Sequence, residues 1–397
     1  MTESTRLNPP LSPLRGATAV VGIGQTPLYK RGTSPDPEMK LCLRAIVAAC
    51  EDAGISPRDI DGFVSYGSER NEGQKMMPAL GSREIRFAAL NWSHGGGIPG
   101  ALGLAAAAIV AGQAEIVVVY RAIAQSSGQR LRVAVAQDDT AAQYLVNGMD
   151  APAQMCGMRS QRLIEADGVP PEALRAMALA SYHHAQRNPD AMAYGKPLDE
   201  AGYAASRWIS EPYRLFDCSR ESDAAVAAVL VSAERARDLR RPPAYLLSAP
   251  TGAGAGGGSL EENHRPYSSG NFLAVARRLW AESGYRPDDV DVVQVYENMT
   301  GMGISALIDH GFCTAETAGE LLTLANLIAP GGRLPINTAG GNLAEGFIHG
   351  MSLVSEAVRQ IRGESCNQVP DARLSLMTGG PGDPLVSSAL FGTEETL

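Results

Sequence analysis

The sequence predicts an α/β protein of layered sheet and helix built from two similar halves, and three observations carry that expectation. The segment Ala53–Tyr66 (AGISPRDIDGFVSY) recurs as Ser283–Tyr296 (SGYRPDDVDVVQVY), with the Gly, the Pro, two aspartates and the final Tyr in register. Around both copies, short apolar strand-like runs alternate with amphipathic helical ones. The composition, 45% hydrophobic and 19% charged over 397 residues, is that of a chain able to build a large core. A helix–turn–strand unit that occurs twice implies halves packed on each other, and it directs attention to the strand ends where they meet.

Taken in order, Ala17–Gly24 reads as a strand, and Glu38–Asp52 as a helix burying Leu41, Ala45 and Ala48 at helical spacing. Two helices of this kind sandwiched between two sheets would explain their small residues. Gly54 stops the helix, a Pro turn follows, and Gly62–Tyr66 is a strand. Ser68–Arg83 has the look of a mobile connection. Ser93-His94-Gly95-Gly96-Gly97 opens an Ala-rich helix from about Gly100 to Ala111, and Gly112 ends it before the strand Glu115–Tyr120. Ala124–Pro212 breaks the alternation with short helical pieces, and reads as an excursion covering a site. Ala224–Ser232 and Ala244–Ala249 are strands that close the first half. The second half repeats the order: helix Asn271–Glu282, strand Val290–Tyr296, helix Gly301–His310, helix Ile348–Arg362, and strands Arg373–Thr378 and Val386–Phe391. The expected division is 14–123 with 213–250 as the first half, 124–212 as the insertion, and 251–397 as the second half.

Several functions are disfavoured by composition. A formal charge of −9 argues against a nucleic-acid partner, which needs a basic face. No apolar run reaches the roughly 18 residues of a membrane span. Met1–Pro13 lacks the apolar centre of a signal peptide. The six cysteines are scattered without a CxxC pair, which suits free thiols in a reducing cytoplasm and disfavours zinc. His183-His184 has no carboxylate spacing for a metal site, and no motif for a metal, flavin or nicotinamide is present.

From Ala17 to about Phe391 the order of elements resembles the thiolase superfamily, most closely its sterol-carrier-type members. Gly95-Gly96-Gly97 through Ala114-Glu115 looks like the helix that begins at the thiolase nucleophile. Arg214–Ala225 looks like the family's return from loop to strand. Val295-Tyr296-Glu297-Asn298 sits at the Asn-Glu-Ala-Phe position, and Asn337–Gly341 with Gly346–Gly350 at the Asn-x-x-Gly-Gly…Gly-His-Pro-x-Gly position. The resemblance implies a five-layered αβαβα fold. It is broken where thiolases do their chemistry: Gly95 stands for the nucleophilic Cys, Phe347 for the catalytic His, and Thr378-Gly379-Gly380 for the Cys-x-Gly element. An acyl-enzyme needs a thiolate and a base to activate it, so thiolysis is not expected.

The pattern is more similar to the superfamily's steroid side-chain aldolases, which cleave a β-hydroxyacyl-CoA by retro-aldol reaction and carry a Tyr where Tyr296 stands. That resemblance implies a ketone or aldehyde product and a short acyl-CoA such as propionyl-CoA or acetyl-CoA. It also implies a homodimer, and association with a small OB-fold acyl-CoA-associated protein as a heterotetramer. No cofactor is required beyond the coenzyme A thioester of the substrate. Such a reaction needs a group to accept the hydroxyl proton, donors for the enolate oxygen and an acid to protonate carbon. Tyr296 is the candidate base, provided its surroundings lower its pKa from about 10. His349 stands in for the second acid/base, since the second Tyr of these aldolases is Phe347 here. His94, Gly95, Gly96, Asn298, Phe347, Gly379 and Gly380 are the candidates for holding the thioester and its oxyanion, through backbone N–H groups at a helix start and close backbone approach. The alternative reading is a non-catalytic thiolase-like protein that binds lipid acyl-CoA or scaffolds the OB-fold subunit.

Overall fold

The computed structural model describes residues 11–93, 95–124, 139–255 and 266–397. Its principal strands are β1 (Thr18–Gln25), β2 (Gly62–Tyr66), β3 (Phe87–Asn91), β4 (Val117–Ile123), β5 (Ser222–Ser232), β6 (Ala244–Ser248), β7 (Val292–Gln294), β8 (Leu374–Thr378) and β9 (Val386–Gly392). The main helices are α1 (Glu38–Ala53), α2 (Ile98–Val110), α3 (Pro152–Glu165), α4 (Glu172–Ala185), α5 (Leu273–Ser283), α6 (Thr300–Asp309) and α7 (Met351–Arg362). The strands join in the order β7-β8-β9-β6-β1-β5-β4-β2-β3. The halves meet where β9 pairs antiparallel with β6, at a bulge between Leu390 and Phe391.

Layering follows from which helices touch both halves. α2 packs on β2, β3, β4 and β5 of the first half and on β9 of the second, while α7 packs on β7, β8 and β9 and also on β1 and β5. These two helices form the central layer. α7 is buried on every side except at Arg359, as a helix enclosed by sheet must be. α1 lies on the outer face of β1, β4 and β5, and α5 on that of β6 and β9. The helix expected in the sandwich, residues 38–52, is therefore an outer one. Its buried stripe is Leu41, Cys42, Ala45, Ile46, Ala49, Cys50 and Ala53, and Ala48 is half-exposed.

The repeat has a common physical basis. Gly54 (φ 71°) and Gly284 (φ 79°) both end their helices in the left-handed conformation that favours glycine. The paired aspartates then fasten the start of a neighbouring strand. Asp61 accepts from the N–H groups of Glu115 and Ile116, and Asp291 from those of Arg373 and Leu374. The second copy differs in strand length: β7 ends at Gln294, short of the expected Tyr296. Beyond it, side-chain oxygens replace ladder partners, with Val295 N–H donating to Asn337 Oδ1 and Tyr296 N–H to Thr378 Oγ1.

Two connections position the site. Residues 68–83 are anchored, correcting the mobile reading: Glu69 accepts from Asn71, Arg121 and the Ala122 N–H, and Gly73–Leu80 is helical. In the insertion, α3 and α4 pack on α6, so this region covers the segment that follows Tyr296. All six cysteines are free: Cys42, Cys50 and Cys313 are buried, Cys156 and Cys218 half-buried, and Cys366 exposed. Among the described residues no helix is long and apolar enough to cross a membrane.

Candidate active site

The glycine turn before α2 is the floor of the site, and Tyr296 explains its composition. A Cβ at Gly95 would lie 2.5 Å from Tyr296 Oη, and one at Gly97 would lie 2.9 Å from Tyr66 Cβ. Two tyrosines thus press against one turn, and they are the matching last residues of the two repeat copies. Gly350 admits the Tyr296 ring from the other side, since a Cβ there would lie 2.7 Å from Cδ2. Tyr296 is 2% exposed. Burial pushes its phenol well above the ordinary value; the charge of Asp383 adds to this and that of Arg121 opposes it. The lowered pKa expected of a base is therefore corrected: Tyr296 is a phenol that holds its proton.

His349 is held in one orientation. Its backbone is left-handed (φ 49°), a conformation that costs energy for a residue with a Cβ and is retained where packing enforces it. Tyr66 Oη lies 2.9 Å from His349 Nδ1, and Arg121 Nε donates to the same nitrogen at 3.2 Å. A guanidinium has no acceptor, so Nδ1 must accept and the neutral ring carries its proton on Nε2. Arg121 also stacks over the Tyr66 ring at 4.8 Å and pairs with buried Glu69 at 3.0 Å. The Tyr66 phenol is pushed up to about 12, by burial first, with Arg121 opposing. Phe347 stands edge-on to both neighbouring rings, 6.0 Å from Tyr296 and 4.8 Å from His349. It is an apolar wall, and its own N–H donates to Ser222 Oγ and to the Arg220 carbonyl.

The expected oxyanion donors are otherwise engaged. Gly96 N–H donates to Asp383 Oδ2 at 2.6 Å. Gly379 N–H donates to the Ser387 carbonyl at 2.8 Å, and Gly380 N–H to that of Gly95 at 2.9 Å. Gly379 and Gly380 are glycines because two loops touch: a Cβ at 380 would lie 2.7 Å from the Gly95 carbonyl carbon. Their role is close packing, and the donor reading of both is corrected. Asn298 turns its Oδ1 to the Met299 N–H. His94 lies outside the described residues. Thr378, at the place of the Cys-x-Gly cysteine, fixes the Tyr296 backbone instead.

Sequence reasoning missed Tyr66, Arg121, Glu69 and Asp383. Tyr66 carried a signal, being the repeat mate of Tyr296; the other three carried none. Asp383 is pushed up to about 7 by burial, with the Gly96 N–H and Arg159 opposing. Glu297, next to Tyr296, is pushed up to about 8 by burial and accepts from Asn342 Nδ2 and the Leu343 N–H. It ties down the 341–343 loop. The groove of about 390 Å³ lined by Gln25, Lys40, Arg44 and Val47 holds none of these residues. Ser93, Gly95, Asn298, His349 and Asp383, around the buried phenol, are part-exposed. Among the described residues no group of three or more His, Cys, Asp or Glu is placed to hold a metal ion.

The arrangement is a phenol, an oriented imidazole and a carboxylate around a turn that lacks a nucleophile. Comparison with known proteins supplies the family. Residues 259–390 match the thiolase C-terminal domain-like family. The chain is 36% identical over 381 residues to the 17-hydroxy-3-oxo-4-pregnene-20-carboxyl-CoA lyase of Mycobacterium tuberculosis, covering 94% of this chain and 98% of that protein. It is 36% identical over 394 residues to a steroid side-chain-cleaving aldolase of Thermomonospora curvata, covering 97% and 100%. The solved Ltp2-ChsH2(DUF35) aldolase superposes with a TM-score of 0.90 at 36% identity, covering 97% of this chain and 100% of that one.

Proposed function

The chain belongs to the steroid side-chain-cleaving aldolases of the thiolase superfamily, and we propose that it cleaves a steroid β-hydroxyacyl-CoA by retro-aldol reaction. The products are a steroid ketone or aldehyde and a short acyl-CoA such as propionyl-CoA or acetyl-CoA. One observation carries the chemistry. The Tyr296 hydroxyl fills the space beside Gly95 that a nucleophile's side chain would need, so the site can move protons but cannot form an acyl-enzyme.

The β-hydroxyl loses its proton as Cα–Cβ breaks, and a carbonyl forms on the departing steroid carbon. The bonding pair passes to Cα and the thioester oxygen as an enolate, which then takes a proton at Cα. We assign Tyr296 to the hydroxyl end and His349, through Nε2–H, to the enolate end. As His349 gives up that proton, Nδ1 can draw on the Tyr66 hydroxyl, and Arg121 beside Tyr66 stabilises the charge that develops.

The reading includes a cytoplasmic homodimer working with a small OB-fold acyl-CoA-associated protein. Support for pairing comes from β3, the last strand of the sheet path, beside which Leu90 and Trp92 are 49% and 83% exposed. The test is to incubate the purified chain, with and without its OB-fold partner, with a steroid β-hydroxyacyl-CoA. Carbonyl product should form, and Tyr296→Phe should lower its rate by about 100-fold or more while substrate binding persists. Tight binding without turnover in the wild type would favour the carrier reading instead.

A further inference from the structure

A phenol that keeps its proton can accept a second one only by passing the first on. We propose that Asp383 is the final acceptor of the β-hydroxyl proton, taking the Tyr296 proton as Tyr296 takes the substrate's. The inference rests on the lyase reading above and assigns a group that neither the repeat nor the family motifs single out.

Geometry carries it. Tyr296 Oη and Asp383 Oδ2 lie against consecutive residues of one turn, Oη beside Gly95 and Oδ2 on the N–H of Gly96 at 2.6 Å. The loop that presents the carboxylate is pinned by two side chains and a left-handed glycine. Asn271 Nδ2 donates to the carbonyls of Gly382 and Asp383 at 3.1 and 2.9 Å, Ser93 Oγ donates to that of Leu385 at 2.6 Å, and Gly382 is left-handed at φ 90°. Only Oδ2 is used by these contacts, and the residue is part-exposed. The charged and titratable groups that act on it are few: Arg159 favours its anion, and its charge in turn acts on Tyr296. Burial sets its ionisation near neutrality, at about 7, where a proton acceptor of this reaction works best.

The step balances. The substrate O–H bond breaks and its proton joins Tyr296 Oη, whose own proton passes to Asp383 across one bridging water. The Cα–Cβ pair becomes the enolate and a carbonyl forms at Cβ, with no oxidant or reductant. The proton gained at Asp383 equals the one delivered to Cα, and exchange with solvent resets the site.

A purely structural role would be to clamp the Gly96 N–H, which an asparagine carbonyl at 383 does equally well. Asp383→Asn therefore separates the two roles. The proton-acceptor role predicts a fall in kcat of about 100-fold with KM within about threefold, and at least tenfold recovery in Asp383→Glu. It also predicts that the wild-type kcat falls below pH about 7, as the carboxylate protonates, and that this limb is absent in Asp383→Asn. Infrared difference titration should show one carboxyl ionising near 7 that the variant lacks, a readout independent of turnover. An Asp383→Asn enzyme within threefold of wild type, or a titration without that carboxyl, overturns the assignment and leaves the lyase reading standing. A wild type that cleaves no β-hydroxyacyl-CoA with its OB-fold partner present overturns both.

Discussion

Placing a side chain at Gly95 should destabilise the protein through one identifiable contact, the Tyr296 hydroxyl. A Cβ there would lie 2.5 Å from Oη and 3.0 Å from Cζ, where ordinary contact begins near 3.4 Å. The ring has nowhere to go. Gly350 already crowds it on one side, Phe347 meets it edge-on at 6.0 Å, and its backbone is tied to Thr378. Overpacking of a closed interior costs about 1–3 kcal/mol, so Gly95→Ala should lose that much in denaturant unfolding. Removing Oη should relieve much of the overlap, because the nearest remaining atom is the ring carbon. Gly95→Ala in a Tyr296→Phe background should therefore cost about 1 kcal/mol less than in the wild type, a coupling that a double-mutant cycle resolves. Circular dichroism melts in urea on the four proteins give the numbers. Additivity within about 0.5 kcal/mol, or a neutral Gly95→Ala, would refute the argument. The same geometry predicts that Gly95→Cys forms no acyl-enzyme detectable by intact-mass spectrometry, because the thiol is built into the phenol.

Two further outcomes are expected. Tyr66→Phe removes one of the two donors at His349 Nδ1 and leaves Arg121 to keep the tautomer, so kcat should fall by about tenfold, the worth of one hydrogen bond; an unchanged kcat would place Tyr66 outside the proton path. Glu345 is 1% exposed, and burial pushes it from 4.5 up to about 8. The folded state thus holds a proton that the unfolded chain releases above about 4.5. This contribution is complete below the unfolded value and is lost as pH rises through about 8. At about 1.4 kcal/mol per unit, Glu345→Gln should gain up to roughly 4 kcal/mol on wild type between pH 5 and pH 9, and equal pH dependence of the two melts would contradict it.

What was legible in the sequence was whatever a local pattern could carry. The repeated unit showed the two halves and the strand-end tyrosine, because Gly54 and Gly284 end their helices locally, while Asp61 and Asp291 play the same part in each copy by fastening a neighbouring segment. Which helix lies in the middle was not legible, since an Ala-rich stripe looks the same on an outer face as in a sandwich. The donor roles of Gly96, Gly379 and Gly380 failed for another reason. A backbone N–H is a free donor only if no carbonyl or carboxylate arrives from elsewhere, and residues 383, 387 and 95 do arrive. Arg121, Glu69 and Asp383 became visible only once the chain had brought distant segments to one turn.

Those distant contacts also tie the departures from the thiolase pattern into a single change. A cysteine at 95 and a tyrosine at 296 exclude each other sterically, and Tyr296 in turn requires glycine at 350. With the sulfur gone, a catalytic base at 347 would have no nucleophile to activate. An apolar edge there instead meets both Tyr296 and His349, the two residues proposed above as proton carriers. Reverting any one of these positions alone should therefore cost stability or proton transfer without returning thiolase chemistry, because the space the sulfur would need is already filled by the phenol.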